Sequence, residues 1–120
     1  MDEWVAKLDR IYPLLRKGRR CHFCGRPAEH IHHIRGRANI LLRYDLNNLL
    51  PVCADCHSLI HLNHLNLDLY ISMFRMDYLN KMSRIQFQDY LLSHDMTRED
   101  FYKEKLNDLK EAIYGNKKTR

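Results

Sequence analysis

The sequence lacks long apolar runs, repeats and a leader-like start. No stretch approaches the ~20 consecutive apolar residues that a membrane-spanning helix needs. The first ten residues, MDEWVAKLDR, carry acids early and have no apolar segment, so we expect no secretory signal peptide. No internal repeat or low-complexity segment is present. With 120 residues, the chain has the size of one ordinary domain, and we expect a single domain spanning 1–120.

Acidic residues are scarce in one part of the chain. Between Arg16 and Arg43 the only acid is Glu29. The same segment holds eight basic residues, which are Arg16, Lys17, Arg19, Arg20, Arg26, Arg35, Arg37 and Arg43. Such a block indicates a polyanionic partner, most simply nucleic acid, although a solvated surface explains the charge equally well.

Four cysteines form two Cys-x-x-Cys pairs, Cys21 with Cys24 and Cys53 with Cys56. Without an export signal we expect a reducing, cytoplasmic environment, in which such pairs bind metal more often than they form disulfides. Two pairs supply the four thiolates of a closed tetrahedral site, so we predict a structural zinc ion. The competing interpretation is a redox-active pair, but neither pair lies in a visible βαβ unit.

Apolar spacing predicts helices at both ends of the chain. The residues Trp4, Leu8, Ile11 and Leu15 define one helical face, which Pro13 must kink or divide. In the second half we predict core-facing stripes, made of Leu69, Met73, Met76 and Leu79 and of Tyr102, Leu106, Leu109 and Ile113. Capping boxes are predicted at Ser83 with Gln86 and at Thr97 with Asp100, and a C-cap at Gly115.

The middle of the chain reads as two short strands followed by a helix. The stretch AEHIHHI alternates like a strand, RGRANILLRYDLNN is predicted as a loop with an extended middle, and LLPV as a short strand. Pro51 limits that strand to an edge or end position. The stretch ADCHSLIHLNH has no helix breaker. On this helix His57 and His61 share a face, while Cys56 points about 100° away from His57, so the helix offers ligands to two different metals.

This order of residues resembles the HNH (ββα-metal) nuclease family. The matching residues are the pair His32-His33, then Asn48, then His57 and His61, framed by the two cysteine pairs. The resemblance covers about a third of the chain, Cys21 to His61. The pattern HHIRGR … LRYDLNNLLPVCADCHSLIH further resembles small phage recombination nucleases of the NinG/Rap type. The fold expected from the resemblance is α+β, with a small hairpin-and-helix core stapled by a four-cysteine zinc and flanked by N-terminal and C-terminal helices.

The resemblance also implies roles for individual residues. His33 is the expected general base, and His32, His57 and His61 are the expected ligands of one divalent cation, Mg²⁺, Mn²⁺, Ni²⁺, Co²⁺ or Zn²⁺. Asn48, with Asn47 as the fallback, fixes the loop or binds the metal. His32 stands where the family often has Asp, and ligation by imidazoles favours the later transition metals over Mg²⁺.

Three further expectations concern the surroundings of the paired histidines. Arg35, Arg37 and Arg43 are candidates for phosphate contacts, with Arg19 and Arg20 as an outer layer. His30 either supports the metal site from behind or faces solvent. Because adjacent side chains of a regular strand point to opposite faces, we predict a bulge or the end of strand pairing at His32-His33.

The predicted function is therefore a metal-dependent DNA endonuclease in the cytoplasm of a bacterium or of a phage-infected host. Its expected layout is an N-terminal helix over 1–18, a zinc-stapled core over 19–64, C-terminal helices over 65–115 and a tail over 116–120. The expected partner is DNA, with no membrane, and a homodimer through the C-terminal helices is a candidate assembly. The alternatives are a non-catalytic zinc-stabilised DNA-binding module and a protein-interaction adaptor. The adaptor leaves the basic block unexplained.

Overall fold

The computed structural model describes residues 2–115, with the backbone alone at position 68, and has α+β architecture. The helices and strands are α1 (Glu3–Ile11), β1 (His30–His33), α2 (Ile40–Arg43), β2 (Leu49–Val52), α3 (Ala54–His61), α4 (Met73–Ser83), α5 (Phe87–Ser93) and α6 (Arg98–Tyr114). Short 3₁₀ helices cover Tyr12–Arg16, Leu46–Asn48 and Leu67–Leu69. The expected tail over 116–120 lies outside the described residues.

The N-terminal helix changes type at the predicted proline. Asp2 caps α1, because its carboxylate accepts hydrogen bonds from the backbone N–H groups of Trp4 and Val5. The α-helix ends at Ile11, and Tyr12–Arg16 continues as a 3₁₀ helix with Pro13 in its first turn. The predicted division at Pro13 is thus confirmed. It turns the segment so that it runs alongside β1.

Strands β1 and β2 form an antiparallel pair in which His30 lies opposite Val52 and His33 opposite Leu49. Pro51 has no N–H to donate, and its position at the edge of the strand needs none. Its carbonyl accepts a hydrogen bond from the N–H of His22 at 2.9 Å. The predicted strand LLPV and the predicted helix after it are both confirmed.

The predicted extended middle of the loop between the strands is wrong. Residues 40–43 form the short helix α2, and a 3₁₀ helix follows at 46–48. The N–H of Arg43 closes this turn by donating to the carbonyl of Asn39 at 2.9 Å, and the adjacent Leu41 and Leu42 are both buried in it. The side chain of Asp45 accepts the N–H of Asn47 and starts the 3₁₀ turn.

The hairpin lies between two clusters of buried side chains. Leu49 of β2 packs into the larger cluster with Leu8 of α1 and Leu109 of α6. The neighbouring Leu50 faces the smaller cluster, which contains Ile60 of α3 and three of the cysteines. The period of two in the strand thus gives the hairpin a face toward the terminal helices and a face toward α3.

The C-terminal helices match the sequence in part. The capping box of Thr97 and Asp100 is present, and Gly115 ends α6 with φ of 76°. The stripe of Tyr102, Leu106, Leu109 and Ile113 packs into the larger cluster as predicted. Over residues 2–115, no helix has the length and apolar character needed to span a membrane.

Two predictions for this half are wrong. Ser83 belongs to the end of α4 and donates its hydroxyl to the carbonyl of Asn80, so it does not cap α5. In the stripe before it, Met76 packs into the smaller cluster and Leu79 is buried, whereas Leu69 and Met73 are 77% and 78% exposed. The sequence spacing is helical, but Leu69 lies in a 3₁₀ turn that starts before α4.

Candidate functional site

The first cluster consists of the four cysteines. Their Sγ atoms all lie within 4.8 Å of one another, and those of Cys24 and Cys53 are 3.6 Å apart. Cys21 and Cys24 belong to a turn in which the N–H of Gly25, at φ of 78°, donates to the carbonyl of Cys21. The other two come from the start of α3. The four cysteines are therefore positioned to bind a metal ion, and four sulfur donors leave no open coordination position.

The surroundings of the cysteines favour thiolates at the exposed edge of the cluster. The backbone N–H and the guanidinium of Arg26 lower the pKa of Cys24 to about 6. Cys53 is the N-cap of α3, and its sulfur accepts the N–H of Cys56 at 3.4 Å. Burial raises the pKa of Cys56. A deeply placed thiol of this kind requires a cation beside it to remain deprotonated.

The second cluster contains three histidines. His32 of β1 and His57 and His61 of α3 each offer a ring nitrogen, and these atoms lie within 4.8 Å of one another. The Nε2 atoms of His57 and His61 are 3.1 Å apart, so at least one of them carries a lone pair rather than a proton. Burial and the neighbouring imidazoles lower the pKa of His32 to about 4, and the same causes lower the pKa of His57.

These three rings fit a divalent cation. Neutral imidazole is the form of histidine that binds metals, and the lowered pKa values of His32 and His57 favour that form. Three ligands from one side leave positions for water and for a phosphate oxygen. Helix α3 serves both clusters: it directs Cys56 toward the cysteines and His57, one residue later, toward the histidines.

His33 has a different environment from His32. Its Nε2 lies 3.0 Å from the backbone carbonyl oxygen of Arg43, and its ring meets the ring of Tyr12 edge to face at 5.0 Å between centroids. Since a carbonyl only accepts, Nε2 is the protonated nitrogen and Nδ1 carries the lone pair. Burial lowers the pKa of His33, while the Arg43 carbonyl acts in the opposite direction. In the neutral ring this contact therefore leaves Nδ1 as the nitrogen that can accept a hydrogen bond.

The backbone at the two histidines departs little from a regular strand. The register is continuous from His30 through His33, so the bulge is absent, and strand pairing ends at His33, the other outcome predicted. His32 turns toward α3 and His33 toward the N-terminal segment. The two rings remain close enough for the charge of one to lower the pKa of the other.

Asn48 holds the loop that follows β1. It is fully buried, and its Oδ1 accepts the N–H of Arg35 at 2.7 Å. Its Nδ2 donates to the carbonyls of Arg35 and Leu42 at 3.1 and 3.0 Å. With these three bonds the side chain ties Arg35 and Leu42 of the loop to the start of β2. Asn47 is exposed.

His30 stands beside the cluster rather than in it. Its ring is exposed and lies 5.2 Å from that of His57 between centroids. The adjacent Glu29 accepts the N–H of Ala54, the first residue of α3, at 3.1 Å. This contact holds the start of β1 against the start of α3.

The predicted phosphate-binding arginines differ in their availability. Arg43 has a side chain only 17% exposed and pairs with Asp9 at 2.8 Å, and Arg35 donates to the side chain of Asn80. Arg37 is 55% exposed and lies 3.7 Å from Asp9. Two others donate to backbone carbonyls: Arg19 to Ala112 and Arg20 to Gly25.

Sequence reasoning missed the part that the N-terminal segment plays here. Asp9 accepts hydrogen bonds from the Arg43 guanidinium and, at 2.8 Å, from the hydroxyl of Tyr44. Tyr12 packs on His33. These residues lie more than 20 positions before His33 and belong to a helix whose apolar face was the visible signal. Nothing in a single sequence distinguishes Asp9 from a solvated acid.

Comparison with known proteins agrees with this geometry. Residues 21–62 match the family model described as HNH endonuclease, which confirms the predicted resemblance over about a third of the chain. A segment of 52 residues is 40% identical to part of a protein of Sarcophyton glaucum named mitochondrial DNA mismatch repair protein mutS homolog. The alignment covers 39% of this chain and 5% of that relative. No solved structure matches. The matched family segment contains all four cysteines, the three clustered histidines, His33 and Asn48, but neither Asp9 nor Tyr12.

Proposed function

We propose that this protein is a metal-dependent endonuclease that hydrolyses phosphodiester bonds of DNA. One observation carries the proposal: three convergent imidazoles lie beside a fourth, His33, whose Nδ1 is left free as a proton acceptor. A histidine cluster that only stabilised the fold would not need a further histidine with an acceptor nitrogen next to it. The match of residues 21–62 to HNH endonucleases supports the same assignment.

His32, His57 and His61 would hold the divalent cation. A cation bound there supplies positive charge that stabilises a nonbridging phosphate oxygen and the leaving 3′ oxygen. The all-imidazole donor set favours Mn²⁺, Co²⁺, Ni²⁺ or Zn²⁺ over Mg²⁺. Asn48 would act by holding the loop, because its amide is engaged with the backbone on both sides.

His33 would act as the general base. Its Nδ1 accepts a proton from water as the water oxygen attacks the phosphorus, and the bond from phosphorus to the 3′ oxygen breaks. The products are a 5′-phosphate and a 3′-hydroxyl, the latter after the leaving oxygen has taken a proton from solvent. Donation from Nε2 to the Arg43 carbonyl holds the ring in the required tautomer.

The four-cysteine cluster would hold structural zinc. Zinc accepts four thiolates in a tetrahedral site without redox chemistry. It would join the turn at Cys21 to the start of α3, and thereby fix where His57 lies relative to His32.

We further propose that the enzyme works in the cytoplasm on branched DNA in phage recombination, as its likeness to NinG/Rap-type nucleases implies. A homodimer through the C-terminal helices would place two sites on two strands.

A cleavage assay tests the activity. Supercoiled plasmid is incubated with the purified protein and with Mg²⁺, Mn²⁺, Ni²⁺ or Co²⁺, or with a chelator, and the ends are typed by ligation and by phosphatase treatment. We expect nicking or linearisation that needs the added metal and leaves ligatable 5′-phosphate ends. Binding of DNA without cleavage in any metal would overturn the proposal and favour the non-catalytic DNA-binding module. A panel of nicked, flapped and branched duplexes, with the mass in solution, tests the substrate and the dimer.

A further inference from the structure

A basic hollow lies on the surface beside the start of β1. It has a volume of about 320 Å³ and is lined by the segment 16–20 together with Pro27 and Ala28. Four of the five residues in that segment are cations: Arg16, Lys17, Arg19 and Arg20. We call this surface the basic hollow. All of its cations precede the segment that matches the nuclease family.

The backbone holds the basic hollow in a defined shape. Gly18, with φ of 71°, turns the chain out of the 3₁₀ helix, a conformation that other residues adopt at a cost. The N–H of Ala28 donates to the carbonyl of Arg19 at 2.9 Å, and Arg20 pairs with Pro27 through an isolated bridge. The cations therefore project from an anchored turn rather than from a free loop.

The charges in the basic hollow are held in place but not neutralised. The guanidinium of Arg16 donates to the carbonyl of Pro13 at 2.7 Å, that of Arg19 to Ala112 at 2.6 Å and that of Arg20 to Gly25 at 3.0 Å. A carbonyl carries no charge, and each guanidinium has five N–H donors, so donors remain for an anion. Among residues 2–115 other than position 68, no carboxylate oxygen lies within 4.0 Å of the charged nitrogens of these side chains or of Lys17.

Other cations of the same block are paired with acids, which marks the basic hollow as distinct. Arg26 pairs with Asp55, and Arg37 and Arg43 pair with Asp9. Two of these had been the leading candidates for phosphate contacts. Arg35, the remaining cation of the block, donates to the side-chain amide oxygen of Asn80, so four of the five cations without an acidic partner in the described chain lie in the basic hollow.

The basic hollow is continuous with the histidine cluster. A second hollow, of about 350 Å³, is lined by Tyr12, Arg16, His30 and His57, among others, so Arg16 borders both. Its one carboxylate, Glu29, is engaged with the N–H of Ala54. Ala28 precedes His30 by two residues of extended chain, a distance of ~7 Å. The ring of His30 in turn lies 5.2 Å from that of His57 between centroids, so the basic hollow begins close to one of the three clustered histidines.

Another hollow at the histidine cluster, bordered by His32, differs from the basic hollow in its lining. It has a volume of about 590 Å³, runs from His32 past Ile34 and Ile60 and is lined by apolar and amide side chains, with no cation. The basic hollow therefore attracts a polyanionic strand more strongly than this hollow does.

From this asymmetry we propose that the basic hollow binds the backbone phosphates of a DNA strand next to the one that is cut. Arg16 and Lys17 hold the phosphates nearest to the histidine cluster, and Arg19 and Arg20 hold those beyond. The proposal rests on the proposed function, because it takes the histidine cluster as the place of cleavage. It adds a direction: contacts extend from the scissile phosphate mainly to one side.

Binding of a fluorescent 20-base-pair duplex, followed by anisotropy, tests the basic hollow. All proteins carry His33→Ala to slow cleavage, and they are compared in Mg²⁺ at several salt concentrations. The test variant is Arg16→Gln with Lys17→Gln. The matched control is Lys103→Gln with Lys110→Gln, which removes the same charge from exposed positions of α6. Since Arg16 also contacts Pro13, Lys17→Glu alone serves as a second test variant. Lys17 is exposed, and its side chain makes no hydrogen bond or ion pair in the described chain.

We expect the test variant to bind about tenfold more weakly, with a salt slope lower by about two, and the control to change by less than about twofold. Equal affinities for test and control would overturn the proposal. Duplexes in which a single phosphate is replaced by a neutral methylphosphonate then locate the contact. The replacement that weakens binding by the protein with Lys17 intact should not weaken binding by Lys17→Glu any further. Sensitive positions spread evenly on both sides of the cleavage point would contradict the proposed direction.

These results separate the two proposals. If the protein with His33 intact cleaves DNA while test and control bind alike, the basic hollow fails and the nuclease stands. If the protein with His33 intact cleaves no DNA, and the test variant binds DNA more weakly than the control does, the nuclease proposal fails and the basic hollow stands as a DNA-binding surface. If no duplex is bound at all, both fail.

Discussion

The Nε2 atom of His33 donates a hydrogen bond to the backbone carbonyl of Arg43 across 3.0 Å. That carbonyl belongs to α2, and the side chain of the same arginine is held by Asp9 of α1. The orientation of the proposed base thus depends on a contact between the matched nuclease segment and a helix that precedes it. Substitutions of Asp9 and His33 test this contact, and substitutions of Asn48, Cys56 and His57 test the loop and the two metal clusters.

Asp9→Asn should lower both stability and turnover. The change removes the charged partner of Arg43, whose Nε already lacks a hydrogen-bond partner in the described chain, and we expect unfolding to become easier by about 1.5–3 kcal/mol. Urea denaturation measures the stability, and kcat well below the melting temperature should fall because the Arg43 carbonyl shifts. Glu99→Gln removes an exposed ion pair with Lys103 and should cost at most about 0.5 kcal/mol. Equal effects of the two variants would show that Asp9 has no special role.

Asn48→Ala should destabilise the protein far more than Asn47→Ala. The first change leaves the part-buried N–H of Arg35 without its acceptor and removes a donor from the carbonyls of Arg35 and Leu42, at a cost of about 2–4 kcal/mol. The second alters an exposed side chain and should cost about 0.5 kcal/mol or less. Thermal or urea unfolding of both variants checks this. Similar losses would mean that the loop is not held by Asn48.

Metal content should respond differently to changes at two adjacent residues of α3. His57→Ala should keep one tightly bound zinc ion per chain and lose binding of the exchangeable cation, whereas Cys56→Ser should lose the tight ion and much of the stability. Elemental analysis after dialysis against a weak chelator, with melting temperatures, measures both. Loss of the tight ion in His57→Ala would show that the ligands are divided incorrectly between the two clusters.

Much of the fold could be predicted from sequence where local signals agree. Pro13 divides the first helix, Thr97 and Asp100 cap the last one, and the alternation around His30–His33 marks a strand. Helix α3 was predicted because ADCHSLIH has no breaker, and its period of 3.6 residues correctly separates Cys56 from His57. Each of these features depends on residues close together in the chain.

What failed depends on contacts between distant residues. The loop 35–48 contains a helical turn in which Leu41 and Leu42 are both buried, and Leu41 packs with Leu8 and Leu109 of the terminal helices, far away in the sequence. Met73 is helical as predicted but exposed, since the spacing defines a face without saying what packs on it. The partners of Arg35 and Arg43, Asn80 and Asp9, lie more than 30 positions away. Charge alone made both arginines appear free for DNA.

The most direct test of the proposed chemistry compares cleavage of a labelled duplex by wild-type protein and by His33→Ala, each with its metal content and melting temperature measured. Because His33 lies outside the three-histidine cluster, the variant should bind both metals and DNA as the wild type does, yet cleave at least about 10²-fold more slowly. Cleavage by His33→Ala at the wild-type rate would contradict the assignment of His33 as the base.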